Sequence, residues 1–250
     1  MSAKKIIPCL DMKDGKVVKG VNFVDLEDIG SPPQLAKEYS DQGADEITFL
    51  DLAASLEQRK TLVGLVSETA KMVTVPLAVG GGVRNIDDMQ DILNAGASKV
   101  SMNSAAVGSP SLITEAAERF GKKSVIVAID AKLVGKKWEV ITHGGTRSTG
   151  LEVVEWARKV EDLGAGEILL TSIDADGVKN GYDIPMTKAV AEAVDIPVTA
   201  SGGCGKIEDF YEVFDQTKVA SALAASVFHY KLFTVKDVKE YLKDKGIQVR

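Results

Sequence analysis

Eight short apolar segments alternating with eight helical ones predict an α/β chain folded as a closed (β/α)₈ TIM barrel across 250 residues. Three observations lead there. The alternation runs unbroken from one end of the chain to the other. The halves repeat: Gly43-Ala44-Asp45-Glu46-Ile47 matches Gly164-Ala165-Gly166-Glu167-Ile168, and Val75-Pro76 through Gly81-Gly82 matches Ile196-Pro197 through Gly202-Gly203, both at an offset of 121. Nearly every predicted strand also ends on a polar residue or glycine, which packing alone does not require. An open doubly wound sheet would share the local alternation, but four βα units written twice close naturally into a barrel with approximate two-fold symmetry. The expected organisation is one domain over residues 1–250.

In chain order, Ile6 to Leu10 is an apolar run that stops at Asp11 and gives way to a Lys/Asp/Gly turn, as a buried strand delivering a carboxylate to the end of a sheet would. Asp14 to Phe23 reads as a hairpin-like loop carrying Lys16 and Lys19. A helix from Pro32 to Gln42 is closed by Gly43, and a strand from Glu46 ends at Asp51. Apolar residues at helical spacing cover Leu62 to Met72, and Val75-Pro76 opens a third strand that ends in Gly80-Gly81-Gly82. The next unit is a helix from Ile86 to Asn94, closed by Gly96, and a strand from Lys99 to Met102 running into Asn103-Ser104. After a helix from Pro110 to Phe120, the fifth strand, Ser124 to Ile129, delivers Asp130. A charged hairpin over about Lys132 to Gly145 precedes a helix from Leu151 to Leu163. Glu167 to Ser172 then feeds the loop Asp174-Ala175-Asp176-Gly177, followed by a helix from Ile184 to Val194. Ile196 to Ala200 ends in Ser201-Gly202-Gly203. The last unit holds a helix from Ile207 to Phe214, a strand from Ala220 to Ala225 ending at Ser226, and a helix from Val235 to Lys245.

Composition excludes several classes. The formal charge is −6, with Lys and Arg scattered, which gives no electrostatic footprint for nucleic acid. No stretch reaches the roughly 18 apolar residues of a spanning helix, and the chain enters a strand within its first residues, so a cytoplasmic protein with no membrane partner is expected. Cys9 and Cys204 form no CxxC pattern, and His143 and His229 have no second ligand or nucleophile beside them in sequence. Carboxylates are therefore the better acid/base candidates.

Barrel active sites use the C-terminal strand ends, here Asp11, Asp51, Gly81, Asn103, Asp130, Thr171, Ser201 and Ser226. Either aspartate alone would be an ordinary backbone cap. Their recurrence inside the duplication instead marks Asp11 and Asp130 as a catalytic pair facing one another across the mouth. Gly81-Gly82 with Asn103-Ser104 would let backbone amides approach a phosphate, and Gly202-Gly203 with Ala225-Ser226 and the neighbouring Asp176-Gly177 loop repeats the device opposite. A ligand with a phosphate at each end is expected, its middle lying between the aspartates. Thr171 and Ser201 are plausible hydroxyl partners.

With these residues in place, the chain closely resembles the cyclase subunits of imidazole glycerol phosphate synthase. The resemblance spans nearly all residues. It is most specific at Cys9-Leu10-Asp11 to Lys19-Gly20, Asp130-Ala131-Lys132, Thr142-His143-Gly144-Gly145, Thr171-Ser172-Ile173-Asp174, Asp176-Gly177, Gly181-Tyr182-Asp183 and Ala224-Ala225-Ser226-Val227-Phe228-His229. It implies that ammonia and phosphoribulosyl-formimino-aminoimidazole-carboxamide ribotide give imidazole glycerol phosphate and aminoimidazole carboxamide ribotide. Asp11 and Asp130 would be the general acid/base residues, Lys19 would belong to a loop covering the substrate, and no metal or organic cofactor is implied. Ammonia would come from a glutaminase subunit, forming a heterodimer on the N-terminal face. There Lys5, Glu46, Lys99 and Glu167 would gate its entry; read without the resemblance, the same four residues are equally well salt bridges closing the barrel floor. Lys5 stands where many such proteins carry Arg, and Asp215 to Val219 lacks the Gly-Ala turn found at Gly43, Gly96 and Gly164. The sugar-phosphate isomerase of the preceding step shares the half-repeat and the paired acids, and a non-catalytic scaffold binding a phosphorylated metabolite is a further alternative.

Overall fold

The computed structural model describes the backbone of residues 3–21, 24–52 and 56–250, and the side chains of these except 19–21, 24–28 and 56–61. Its first half contains β1 (Lys5–Lys13), β2 (Lys16–Val21), β3 (Val24–Gly30), α1 (Pro32–Asp41), β4 (Ile47–Asp51), α2 (Leu56–Ala70), β5 (Leu77–Gly80), α3 (Ile86–Asn94), β6 (Lys99–Met102), α4 (Ser104–Gly108) and α5 (Ser111–Phe120). After a 3₁₀ turn at Lys122–Ser124, the second half repeats this order. Its elements are β7 (Val125–Val134), β8 (Lys137–Thr142), β9 (Arg147–Glu152), α6 (Val153–Asp162), β10 (Glu167–Ser172), α7 (Ile184–Ala193), β11 (Val198–Ser201), α8 (Glu208–Gln216), β12 (Ser221–Ala224), α9 (Ser226–His229) and α10 (Val235–Asp244).

Parallel pairing runs β1-β4-β5-β6-β7-β10-β11-β12 and returns to β1, closing an eight-stranded barrel with the helices between its strands. The expected (β/α)₈ architecture is the observed one. β1 and β7 are four strands apart in either direction, which sets Asp11 and Asp130 on opposite walls. Both strands run past their aspartates into antiparallel hairpins: β2 pairs β1 from Met12 opposite Val17, and β8 pairs β7 from Asp130 opposite Ile141.

Strand alternation separates the two surfaces of the sheet. Ile6, Leu10, Met12, Val127, Ile129, Ile168 and Leu170 belong to the large apolar layer between sheet and helices. A second, smaller cluster of Ile7, Cys9, Ala78, Ile126, Leu169 and Leu223 fills the barrel interior. Parity therefore turns Lys5 and Asp11 of β1, Asp130 of β7, and Glu167 and Thr171 of β10 inward. The same holds for Lys99 and Asn103 at the two ends of β6.

Local chemistry fixes several termini. The Asn85 side chain caps α3 by accepting from the Asp88 amide, Asp183 caps α7 through Met186, and Thr234 with Asp237 forms a reciprocal capping box on α10. The irregular segment after α8 has a physical account: the Thr217 hydroxyl donates to the Val213 carbonyl at 2.5 Å and accepts from the Val219 amide at 3.3 Å. A side chain thus closes this helix, with extended backbone at Thr217, where glycine with positive φ follows α1, α3, α5, α6 and α10.

The structure differs from the sequence reading at four places. The hairpins are strands paired with register shifts, β9 occupies Arg147–Glu152 where the helix was expected to begin, α2 begins at Leu56, and α4 and α9 were not anticipated. Helices of four or five residues carry too little periodicity to be read from a pattern.

Candidate active site

At the mouth, Asp11 is 6% exposed, and the Cys9 thiol lies 3.4 Å from its Oδ1. Asp130 is enclosed differently. Asn103, at the end of the adjacent β6, donates from Nδ2 to Asp130 Oδ2 at 2.8 Å. Burial, and then the charge of Asp176, push the Asp130 carboxyl from its ordinary 3.8 to about 6, while the Asn103 hydrogen bond pulls the other way. Asp130 is thus poised to hold or release a proton near neutral pH. Thr171 is its register partner on β10, and Ser201 is in turn the partner of Thr171 on β11, so two hydroxyl residues line the wall beside this acid.

Sequence reading placed Asn103 in a phosphate loop and missed its bond to Asp130. No local signal pointed to it, because the contact crosses from one strand end to the next. The Asn103 Oδ1 atom is buried and has no hydrogen-bond partner among the described residues.

The glycine turns occupy equivalent places. Gly81, Gly82, Gly202 and Gly203 all have positive φ, as does Gly177 in the loop after β10. Three are dictated by crowding: a Cβ at Gly81 would lie 2.0 Å from the Asp51 carbonyl oxygen, one at Gly202 2.7 Å from that of Ser172, and one at Gly203 2.0 Å from that of Gly181. Close backbone approach would require glycine at these three sites even without an anion. The short helices α4 and α9 begin at Ser104 and Ser226, directly after Asn103 and Ala225, and their first amides have no partner within the helix. Phosphate sites built from the last loops and a short extra helix are a recurrent device of this architecture. Lys19 sits in β2 opposite Glu27, and its side chain lies outside the described residues.

At the opposite end, the strand starts bring together three of the four charged residues singled out. Lys99 Nζ lies 2.6 Å from Glu46 Oε2 and 2.6 Å from Glu167 Oε2. Glu167 Oε1 also accepts from the Thr199 hydroxyl at 2.7 Å. Burial acts to lower the Lys99 ammonium, but Glu167 and then Glu46 more than reverse this and raise it. Burial likewise raises Glu46, opposed by Lys99. The charge of Lys5 acts on Glu46 from β1 without a direct ion pair among the described contacts. Separating such a buried ion from its partners costs about 3–5 kcal/mol. These three side chains form one largely buried, mutually bonded cluster rather than a loose ring of surface pairs.

A closed barrel of two repeated halves, with one acid from each half at its mouth, defines a (β/α)₈ protein of the half-barrel-repeat class. Residues 5–234 match the family model described as "Histidine biosynthesis protein", and the chain belongs to that family. No helix among the described residues is long and apolar enough to cross a membrane.

Proposed function

We propose that this protein is the cyclase subunit that condenses ammonia with phosphoribulosyl-formimino-aminoimidazole-carboxamide ribotide, forming imidazole glycerol phosphate and aminoimidazole carboxamide ribotide with the ketone oxygen released as water. Within the histidine biosynthesis family the competing reading is the isomerase, which shares the paired acids. The observation that carries the cyclase is the Lys99–Glu46–Glu167 cluster buried at the far end of the interior from the acids. An isomerase takes a single substrate at the mouth and has no use for an entrance through the floor, whereas the cyclase needs a second, small reactant. In this reading Lys5, Glu46, Lys99 and Glu167 gate ammonia delivered by a glutaminase subunit docked on that face. The runs that carry the resemblance, the Thr142 to Gly145 turn among them, support this reading; Lys5, Ser98 and Asp215 to Val219 depart from the family pattern.

Closing the imidazole ring takes a proton from an attacking nitrogen and gives one to a departing amine, so the site needs one group of each kind. Asp130, held near 6, and Asp11 supply them from opposite walls. Gly81, Gly82, Asn103 and Ser104 hold one phosphate; Asp176-Gly177, Gly202, Gly203, Ala225 and Ser226 frame the other; Thr171 and Ser201 bond the middle of the ligand. Lys19 closes over it.

The test is turnover of the purified chain at alkaline pH in concentrated ammonium salt, where added ammonia replaces the partner. Imidazole glycerol phosphate is the expected product. Ketose formed from the aldose precursor without ammonia would assign the isomerase instead.

A further inference from the structure

The turn between β8 and β9 was singled out in the sequence, but neither the paired acids nor the floor gives it a task. It is tightly built. The Thr146 amide donates to the Thr142 carbonyl at 3.1 Å, the Thr146 hydroxyl donates to the His143 carbonyl at 2.7 Å, and His143 Nδ1 lies 3.0 Å from the Thr142 hydroxyl. A Cβ at Gly145 would lie 3.8 Å from Cδ1 of Ile173, which follows β10. At its apex His143 has φ of 55°, a left-handed conformation that is uncommon outside glycine, that histidine tolerates better than most residues, and that a β-branched residue strongly disfavours. That conformation aims the His143 amide out of the hairpin and across to α4, where it donates to Ser104 Oγ at 3.0 Å.

A serine hydroxyl has one proton and two lone pairs. Once a lone pair of Ser104 receives the His143 amide, the hydroxyl is turned so that its own proton serves an acceptor elsewhere. Asn103, the preceding residue, is held from one side, one Nδ2 proton donated to Asp130 and its Oδ1 buried with no partner among the described residues, open to a donor. Neighbouring residues at the end of β6 therefore present complementary groups, a donor at Ser104 for an anion and an acceptor at Asn103 for an N–H or O–H beside it.

We propose that His143 is a positioning residue for the anion site at Ser104: its strained backbone, not its imidazole, holds the serine hydroxyl as a donor to one phosphate of the ligand. This rests on the reading of Ser104 as an anion ligand given above. It assigns the second hairpin to one end of the ligand alone, since the corresponding serine of the other half, Ser226, lies across the barrel.

Inorganic phosphate is the probe, titrated into the full chain while the Ser104 and Ser226 backbone amides are followed by nuclear magnetic resonance, so that each end reports separately. His143→Val, a β-branched residue poorly suited to positive φ, should weaken binding at Ser104 about tenfold and leave Ser226 unchanged. His143→Gly keeps the amide and the conformation and should restore the Ser104 site to within about twofold of the parent. Unchanged binding at Ser104 in His143→Val overturns the proposal, as does equal weakening at both serines. Loss in His143→Gly matching that in His143→Val would assign the effect to the imidazole and overturn it too. If the Ser104 amide of the parent chain ignores phosphate while Ser226 responds, the anion reading of Ser104 fails, and the role of His143 falls with it.

Discussion

The two halves of the barrel share their order of elements, yet they surround their aspartates with different chemistry. Preceding Asp130 around the barrel is β6, which ends in Asn103; preceding Asp11 is β12, which leads into Ala225. One acid therefore has an amide donor at 2.8 Å, while the other has a thiol at 3.4 Å and a methyl group at the equivalent position. The helices that follow the glycine turns differ as well. Asp88 on α3 and Asp209 on α8 both accept amides from the incoming loop, Arg84 at 2.8 Å in the first case and Gly205 at 2.7 Å in the second. Asp209 is buried to 1% exposure, however, close enough to Gly181 that a Cβ there would lie 3.5 Å from its Oδ1. At the floor, Asp45 accepts from the Ile6 amide and pairs with Lys239 of α10, whereas its counterpart Gly166 has no room for a side chain, since a Cβ would meet the Lys122 carbonyl oxygen at 2.0 Å. The lesson is that duplication conserves backbone geometry, while single side chains that do not disturb it separate the roles of equivalent positions.

Removing either acid should break this comparison most sharply. Asp11→Asn and Asp130→Asn each preserve shape while abolishing proton transfer, and each should lower ammonia-dependent turnover by about 10²–10⁴-fold with substrate binding largely retained. Weakened binding with normal residual turnover would remove the assigned role. The next largest effect is at the floor. Lys99→Met leaves Glu46 and Glu167 facing one another in a buried site, and should cost about 3–5 kcal/mol of stability in urea unfolding. A loss below about 1 kcal/mol would mean that the cluster is solvated and behaves as a surface pair.

The fold was legible because glycine turns, strand-start prolines and the repeated Gly-Ala segments punctuate the chain at matching positions, and the paired aspartates followed from the same repeat. What escaped was whatever depends on contact between strands distant in sequence. Asn103 reads as a loop residue until β6 and β7 are laid side by side, and Asp176 reads as part of a phosphate loop until its charge is found acting on Asp130. Thr217 looks like the loss of a glycine cap until its hydroxyl is seen closing α8. The hairpin strands were obscured because successive residues are buried, Val17 with Val18 and Val140 with Ile141 and Thr142, so the period-two alternation that marks a half-buried strand is missing.

A smaller effect follows from the Asp130 environment alone. The folded chain keeps this carboxyl protonated up to about pH 6, whereas the unfolded chain releases the proton near 3.8. Below about pH 4 both states hold it. As pH rises through that window to 6 and beyond, the folded state loses stability relative to the unfolded one, by about 3 kcal/mol for this group. Asp130→Asn cannot ionise, so it should be more stable than the parent at pH 8, with the gain fading below pH 4, as paired urea titrations would show. A gain independent of pH would place the Asp130 effect in packing rather than charge.

The finest distinction concerns which neighbour sets that proton. Asn103→Leu removes the donor that favours the charged carboxylate, so the acidic limb of kcat/KM should move above pH 6; Asp176→Asn removes the opposing negative charge and should move it below. Opposite displacements from two changes flanking the same acid would be hard to obtain from general loosening of the mouth, which would shift both limbs alike. A limb that stays in place in both variants would mean that Asp130 is not the group titrating in catalysis. The asymmetry between the two walls would then be one of packing only. If the limb does move, the amide that β6 lends to Asp130, and that Ala225 cannot lend to Asp11, is what makes two copies of one strand-end acid chemically distinct.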